Sequence, residues 1–316
     1  MRESQPSMRA QGSVKNNIKQ TILETIGNTP LLCLSRMYAH RVHAKAEFLN
    51  PGGSIKDRVA KYIIEEAERT GKLKPKHIIA EATSGNTGIG VTLVGVQRGY
   101  RVRILMPENM SEERKKIIKA LGGELILTPA EESIEGAISR LKKMAQRDPR
   151  IWVVNQFENP LNPEVHHRTT GPEIWEAMGP DIDAFVAGVG SGGTLGGVGR
   201  FLKSMKPSIK IVAVEPANAA ALLGQEPGLH QIQGIGDGFV PPVLDTSLID
   251  AVVTVTDDDA IETTRTLARK EGLLVGTSSG ANVWAAHYVV ESLGFGERVV
   301  TVLPDRAERY FSTALL

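Results

Sequence analysis

Cysteine is almost absent: Cys33 is the only one in 316 residues. That excludes a disulfide framework and a thiolate zinc cluster, and makes a reducing compartment the expectation. Charge of one sign is also lacking. Thirty-seven Lys and Arg stand against 36 Asp and Glu, a formal net charge of +1, so a nucleic-acid partner gains no electrostatic support. No apolar run approaches the ~20 residues of a membrane span. The first twenty residues hold no apolar stretch of the secretory kind. They read as a polar arm, 1–20, and the expectation is a cytoplasmic protein with no membrane partner. The length suits one large α/β domain or two ordinary ones.

Glycine is plentiful: 32 residues, about a tenth of the chain against an average of ~7%. Between the glycine clusters, short apolar runs alternate with helical patterns. Strands are expected at 77–81, 102–106, 124–128, 152–155, 185–187, 211–214, 251–255 and 299–303. Their consecutive apolar residues suit parallel strands buried on both faces. Ile134, Ile138, Leu141 and Ala145 share one helical face, and Ser111 starts another helix with Glu112 and Glu113 in its first turn. The alternation predicts an α/β fold. The NPLNP run near 160–163 interrupts the pattern and suggests a boundary between two lobes.

Four glycine clusters carry the chemistry. Residues 188–194 follow an AFVA strand and open a helix, so free N–H groups meet a positive helix end, a setting for phosphate. The same segment satisfies G-x-G-x-x-G through Gly188, Gly190 and Gly193, with Glu215 at the end of the next strand. On this segment alone a nicotinamide-dependent oxidoreductase competes. TSGNTG, residues 83–88, gathers hydroxyls, an amide and N–H groups at another helix start and suits a carboxylate or phosphate. GTSSG, 276–280, matches a nucleophile elbow, but no histidine follows His287, so the order Ser, acid, His fails. NPGGSIKDR, 50–58, places Lys56 in the first turn of a helix capped by Ser54. A cation opposes the dipole there, which favours the neutral amine that covalent carbonyl chemistry needs.

Together, NPGGSIKDR, TSGNTG, TTGPEIW (169–175), GSGGT (190–194) and GIGDGF (234–239) occur in one order. In that order, from IGNTPL at 26–31 to ERY at 308–310, the chain resembles the cysteine synthase (O-acetylserine sulfhydrylase) family of fold-type II pyridoxal-phosphate enzymes. The resemblance implies the tryptophan synthase β-like fold: two lobes of twisted, mostly parallel sheet flanked by helices. One lobe would span 50–158 and the other 21–49 plus 159–316. It implies pyridoxal 5'-phosphate, no metal, a homodimer, an amino-acid substrate and a sulfur nucleophile. Lys56 resembles the lysine that holds the cofactor as an internal aldimine and moves the α-proton. Gly190, Ser191, Gly192, Gly193 and Thr194 match the phosphate cradle, Asn86 the partner of the ring hydroxyl, and Ser278 the partner of the ring nitrogen, with Ser279 adjacent. Thr83, Ser84, Gly85, Thr87 and Gln156 match the pocket for the substrate carboxylate, and Gly234 the segment near its amine. The implied reaction is β-replacement, making cysteine from O-acetylserine and sulfide through an α-aminoacrylate. The dinucleotide reading then leaves Lys56 and TSGNTG without roles.

Two residues depart from the family pattern. Asp237 stands where a small apolar residue is usual. A carboxylate there would repel hydrosulfide and act as a base toward water or a thiol, so the alternative is a cysteine-consuming lyase that releases hydrogen sulfide, with Asp237 catalytic. Asp305 stands near the expected ring-nitrogen site. Cys33 is expected in the core of a strand, His166 and His167 as capping or exposed residues, and Trp175 and Trp284 as packing.

Overall fold

The computed structural model describes residues 18–313 and 315; of the expected arm, 1–17 lies outside them. Two sheets organise the chain. The first has six strands in the order β1-β2-β10-β7-β8-β9: β1 Leu31–Cys33, β2 Val42–Lys45, β7 Ala184–Gly188, β8 Lys210–Pro216, β9 Ala251–Val255 and β10 Val299–Val302. Only β1 runs antiparallel to its neighbour. The second has four parallel strands in the order β5-β4-β3-β6: β3 Ile78–Ala82, β4 Arg101–Pro107, β5 Glu124–Thr128 and β6 Ile151–Val153. The helices are α1 Ser35–Tyr38, α2 Lys56–Arg69, α3 Asn86–Gln97, α4 Glu112–Ala120, α5 Ser133–Arg147, α6 Leu161–Val165, α7 Gly171–Met178, α8 Gly193–Met205, α9 Asp257–Thr266 and α10 Thr277–Tyr288.

Both sheets are covered on both faces, which is why their strands are apolar throughout rather than alternating. In β3, Ile79 packs with Val59 and Ile63 of α2 and Ile89 of α3, while Ala80 and Ala82 face Ile134, Ala137 and Leu141 of α5. In β7, Val186 packs toward α10 and Phe185 toward Leu195, Val198 and Leu202 of α8. The α5 face is the one its periodicity predicts, and each such buried aliphatic contributes about 1.5–3 kcal/mol.

The structure corrects several expectations. β2 escapes the sequence pattern because it contains His43 and Lys45. Lys45 is nonetheless buried, its ammonium 2.7 Å from the Glu173 carboxylate. Arg58 of α2 joins the same cluster, with Nε 2.7 Å from Glu47 and Nη1 2.6 Å from Glu173. Within NPLNP the chain already turns helical, since α6 begins inside it. Cys33 lies in β1 as expected but is exposed, not core, and its Sγ sits 3.2 Å from His40 Nδ1. Trp175 and Trp284 do pack, half-buried, against the core on opposite faces of the six-stranded sheet. Among the described residues, no helix is long and apolar enough to cross a membrane.

Candidate active site

Ligands of α/β sheets sit beyond the carboxyl ends of the strands, and the glycine loops lie there: 83–88 after β3 and 189–194 after β7. Between them, Lys56 is the first residue of α2. Its N–H donates to Ser54 Oγ at 3.2 Å, but Ile55 holds the cap position that Ser54 was expected to fill. The turn ahead of Lys56 is closed from below, since Gly52 N–H donates to buried Asp57 at 2.6 Å. Lys56 Nζ reaches across to donate to Ser191 Oγ at 3.0 Å. Burial, more than any other influence, pushes the Lys56 ammonium down to about 8; the Asp237 carboxylate pulls part of the way back.

The 190–194 loop needs its glycines. A Cβ on Gly190 would stand 2.3 Å from the Gly234 carbonyl, and one on Gly193 would stand 2.0 Å from Asn162 Oδ1. The loop can therefore pack against the 234 segment and α6 while its N–H groups open α8. Asn162 Nδ2 donates to Ser191 Oγ at 2.9 Å and also to the Gln156 carbonyl. Behind the loop, His166 is fully buried, with Nδ1 2.9 Å from Thr170 Oγ1. Burial and the nearby Lys56 and Arg58 hold its pKa well below the ordinary histidine value. It is neither exposed nor a cap as expected, because Thr170 and Thr194 satisfy its ring. His167 is half-buried beside Arg200.

One cleft is lined by Lys56, Asn86, Thr87, residues 190–194, Gly234 and Ser278. Thr83, Ser84, Gly85 and Gln156 stand behind this lining. Gly85 N–H donates to Thr83 Oγ1 at 3.0 Å, and Thr87 Oγ1 donates to Gln156 Oε1 at 2.6 Å. The Asn155 and Gln156 N–H groups donate in turn to Glu81 of β3, at 2.8 and 3.2 Å. Burial pushes this carboxyl up to about 7. Ser278 lines the cleft and Ser279 does not.

Residues that sequence reasoning missed also line it. Arg114 of α4 is buried there, and its Nη2 donates to Tyr310 Oη at 2.8 Å. In the sequence it is one charge among many in EERKK. Asn282 accepts from Gly188 N–H at 2.7 Å and donates to the Val302 carbonyl at 2.9 Å, tying the ends of β7 and β10 together.

Asp237 is half-buried near Lys56 and His230. Burial pushes its carboxyl up, against the pull of those two side chains. Asp305 follows β10, and its carbonyl accepts from Gly276 N–H at 3.1 Å, so it does lie beside the Ser278 turn. Its carboxylate Oδ2 accepts from Asn86 Nδ2 at 2.6 Å and Tyr310 Oη at 2.5 Å, while Oδ1 lies close against Gly276. Glu215 is spent on its own chain, accepting from Leu222 N–H at 3.1 Å, which removes the acid that a dinucleotide ribose would need. Among the described residues, no group of three His, Cys, Asp or Glu could hold a metal.

The model of a family described as "Pyridoxal-phosphate dependent enzyme" matches residues 22–305. A cysteine synthase of Staphylococcus aureus is 49% identical over 298 residues, covering 93% of this chain and 96% of its own. Among solved structures, an O-acetylserine dependent cystathionine beta-synthase from Helicobacter pylori is 42% identical with a TM-score of 0.89, covering 94% of this chain and 99% of that one. A hydrogen sulfide-producing enzyme from Fusobacterium nucleatum is 37% identical with a TM-score of 0.89, covering 93% and 100%. The chain belongs to the pyridoxal-phosphate dependent enzymes, within their cysteine synthase family.

Proposed function

We propose that this enzyme makes cysteine from O-acetylserine and sulfide by β-replacement, with Lys56 as the residue that holds the cofactor and moves the substrate proton. The observation that carries the reading is the meeting of Lys56 Nζ with Ser191 of the glycine loop at 3.0 Å. Amine and phosphate cradle thus share one cleft. The residues fit pyridoxal 5'-phosphate: the loop has no room for side chains where N–H groups should face an anion, and α8 starts there with its positive end.

Bound pyridoxal phosphate supplies the electron sink for charge developing at the substrate α-carbon. The chain's own residues do the rest. Lys56, held near 8 by burial, keeps a usable neutral fraction near neutral pH. It stands beside the cleft to take the α-proton and return it after the nucleophile has added. Thr87 occupies Gln156 Oε1, so the Gln156 amide N–H groups and the N–H groups at the start of α3 are left as donors for the substrate carboxylate. Glu81 fixes the turn that carries Gln156. Ser278 faces the ring nitrogen and Gly234 the amine side. The lobes of 50–158 and of 21–49 plus 159–316, a cytoplasmic location and a homodimer belong to the same proposal.

A second reading has one specific observation in its favour. Asp237 places a carboxylate in the field of Lys56, where it would repel hydrosulfide and activate water or a thiol against the same carbon. In that case cysteine is the donor and hydrogen sulfide the product. A titration of the cofactor-loaded enzyme with O-acetylserine, and separately with cysteine, decides between them. Synthesis requires the cofactor's absorption to red-shift with O-acetylserine and little sulfide to appear with cysteine. Sulfide release from cysteine that Asp237→Ala abolishes, with O-acetylserine use retained, establishes the second reading. A lysis-to-synthesis ratio unchanged by Asp237→Ala removes it.

A further inference from the structure

An asparagine amide can sit either way round in a cleft, and the choice decides whether it offers a donor or an acceptor. Asn86, at the start of α3, has that choice removed by two charged side chains from the end of the chain. The Asp305 carboxylate only accepts, and it takes Asn86 Nδ2 at 2.6 Å. The Arg309 guanidinium only donates, and its Nη1 reaches Asn86 Oδ1 at 2.7 Å. Flipping the amide would set oxygen against carboxylate and N–H against guanidinium. Both partners are buried, so solvent cannot relieve the mismatch.

Asp305 is itself held in place. Tyr310 Oη donates to the same Oδ2 at 2.5 Å, and Arg114 Nη2 donates to Tyr310 Oη at 2.8 Å. Arg309 is anchored by its second nitrogen on the Gly52 carbonyl, in the turn that precedes Lys56. A relay therefore runs from α4 through the C-terminal segment to the amide at the cleft.

We propose that Asp305 and Arg309 are positioning residues that lock the Asn86 amide with one N–H turned to the cleft, making Asn86 an obligatory donor to the ring oxygen of pyridoxal phosphate. The inference rests on the reading of this cleft as the cofactor site. Nδ2 carries two hydrogens, and Asp305 takes one. The other is left for the ring oxygen, and because the Arg309 guanidinium on Oδ1 draws electrons from the amide, this N–H favours that oxygen as an anion. Asp305 thereby tunes the cofactor without touching it.

The ring oxygen reports its own state by absorption. When it is an anion and the lysine imine carries the proton, the cofactor absorbs in the visible; with the proton on the oxygen, the band moves to the near ultraviolet. The cofactor-loaded enzyme is compared at one pH with Asp305→Ala, Asp305→Asn and Arg309→Met, and the ratio of the two bands is read at full cofactor occupancy. Asp305→Ala should lower the visible-to-ultraviolet ratio roughly fivefold, the scale of one hydrogen bond. Asp305→Asn, which keeps an acceptor but loses the charge, should fall in between. Ratios equal to that of the unaltered enzyme in variants that bind the cofactor fully overturn the proposal. If Asp305→Ala does not fold, Asp305→Asn and Arg309→Met carry the test on the same terms. An unaltered enzyme with the ultraviolet band alone also overturns the proposal, whereas one that takes up no cofactor and shows neither band refutes the cofactor-site reading instead.

Discussion

Single buried side chains set how this protein responds to pH. Glu81 is 2% exposed and has no cation among its partners, and burial raises its carboxyl from an ordinary value near 4.5 to about 7. The folded state thus binds its proton more tightly than the unfolded chain. Its contribution to stability is complete below the ordinary carboxyl range and is lost as pH rises through 7. Glu173 acts in the opposite sense. Arg58 and Lys45, outweighing its burial, hold it down to about 2, so its contribution is present above 4.5 and lost only toward pH 2. Glu81→Gln should therefore flatten the fall in stability between about pH 4.5 and 7, a span on the order of 3 kcal/mol. Denaturant unfolding at several pH values checks it, and an unchanged slope would show that Glu81 does not titrate in that window. Legibility differs sharply at this scale. Lys56, Asn86 and the 190–194 loop are readable because each sits in a glycine-marked turn that backbone chemistry requires. Arg114 and the Asp305–Asn86 bond are not: 219 positions separate the bonded pair, and nothing local in EERKK or PDRAERY pairs them.

At the level of elements, α2 is braced by a buried charge network. Its Arg58 is 3% exposed and bridges Glu47, which is fully buried, to Glu173 of α7. Such a network is weak evidence for net stabilisation, but removing one member leaves an unpaired buried charge. Arg58→Ala should cost about 3–5 kcal/mol in unfolding free energy. A cost below about 1 kcal/mol would mean that water reaches Glu47 in the folded protein. Because α2 begins at Lys56 two residues earlier, the same variant should also weaken cofactor retention. The sequence exposes α5, whose Ile134 and Leu141 are buried and whose Ile138 and Ala145 are half-buried against the same core, because a solvent-facing helix must alternate its faces. It hides β2 for a reason of packing: Lys45 is buried through an ion pair with a residue 128 positions away, as 173 − 45 counts. It hides the start of α6 because proline, which looks like a break, is at home in a first helical turn.

In the whole molecule, the motif order identifies the family, and the resemblance implies two lobes, one of them drawn from both sides of the other. The four-stranded sheet is built from a continuous stretch, β3 to β6. The six-stranded sheet takes β1 and β2 from before that stretch and the rest from after it. β2 has only β1 and β10 as neighbours, and Lys45 lies in register with Val302 near the end of the chain. A ribosome therefore delivers β2 well before its partner β10. The continuous sheet can form while synthesis proceeds, whereas the first hairpin waits with an unpaired edge until β10 has emerged. Pulsed hydrogen exchange during refolding should find amides of β3 and β4 protected before those of β2; simultaneous protection would refute that order. Arg309, Tyr310 and Asp305 follow β10 in the chain, so the asparagine at the cleft gains its fixed orientation only after that strand has been made. A chain halted before Asp305 would carry Lys56 and both glycine loops yet lack the side chains that fix Asn86.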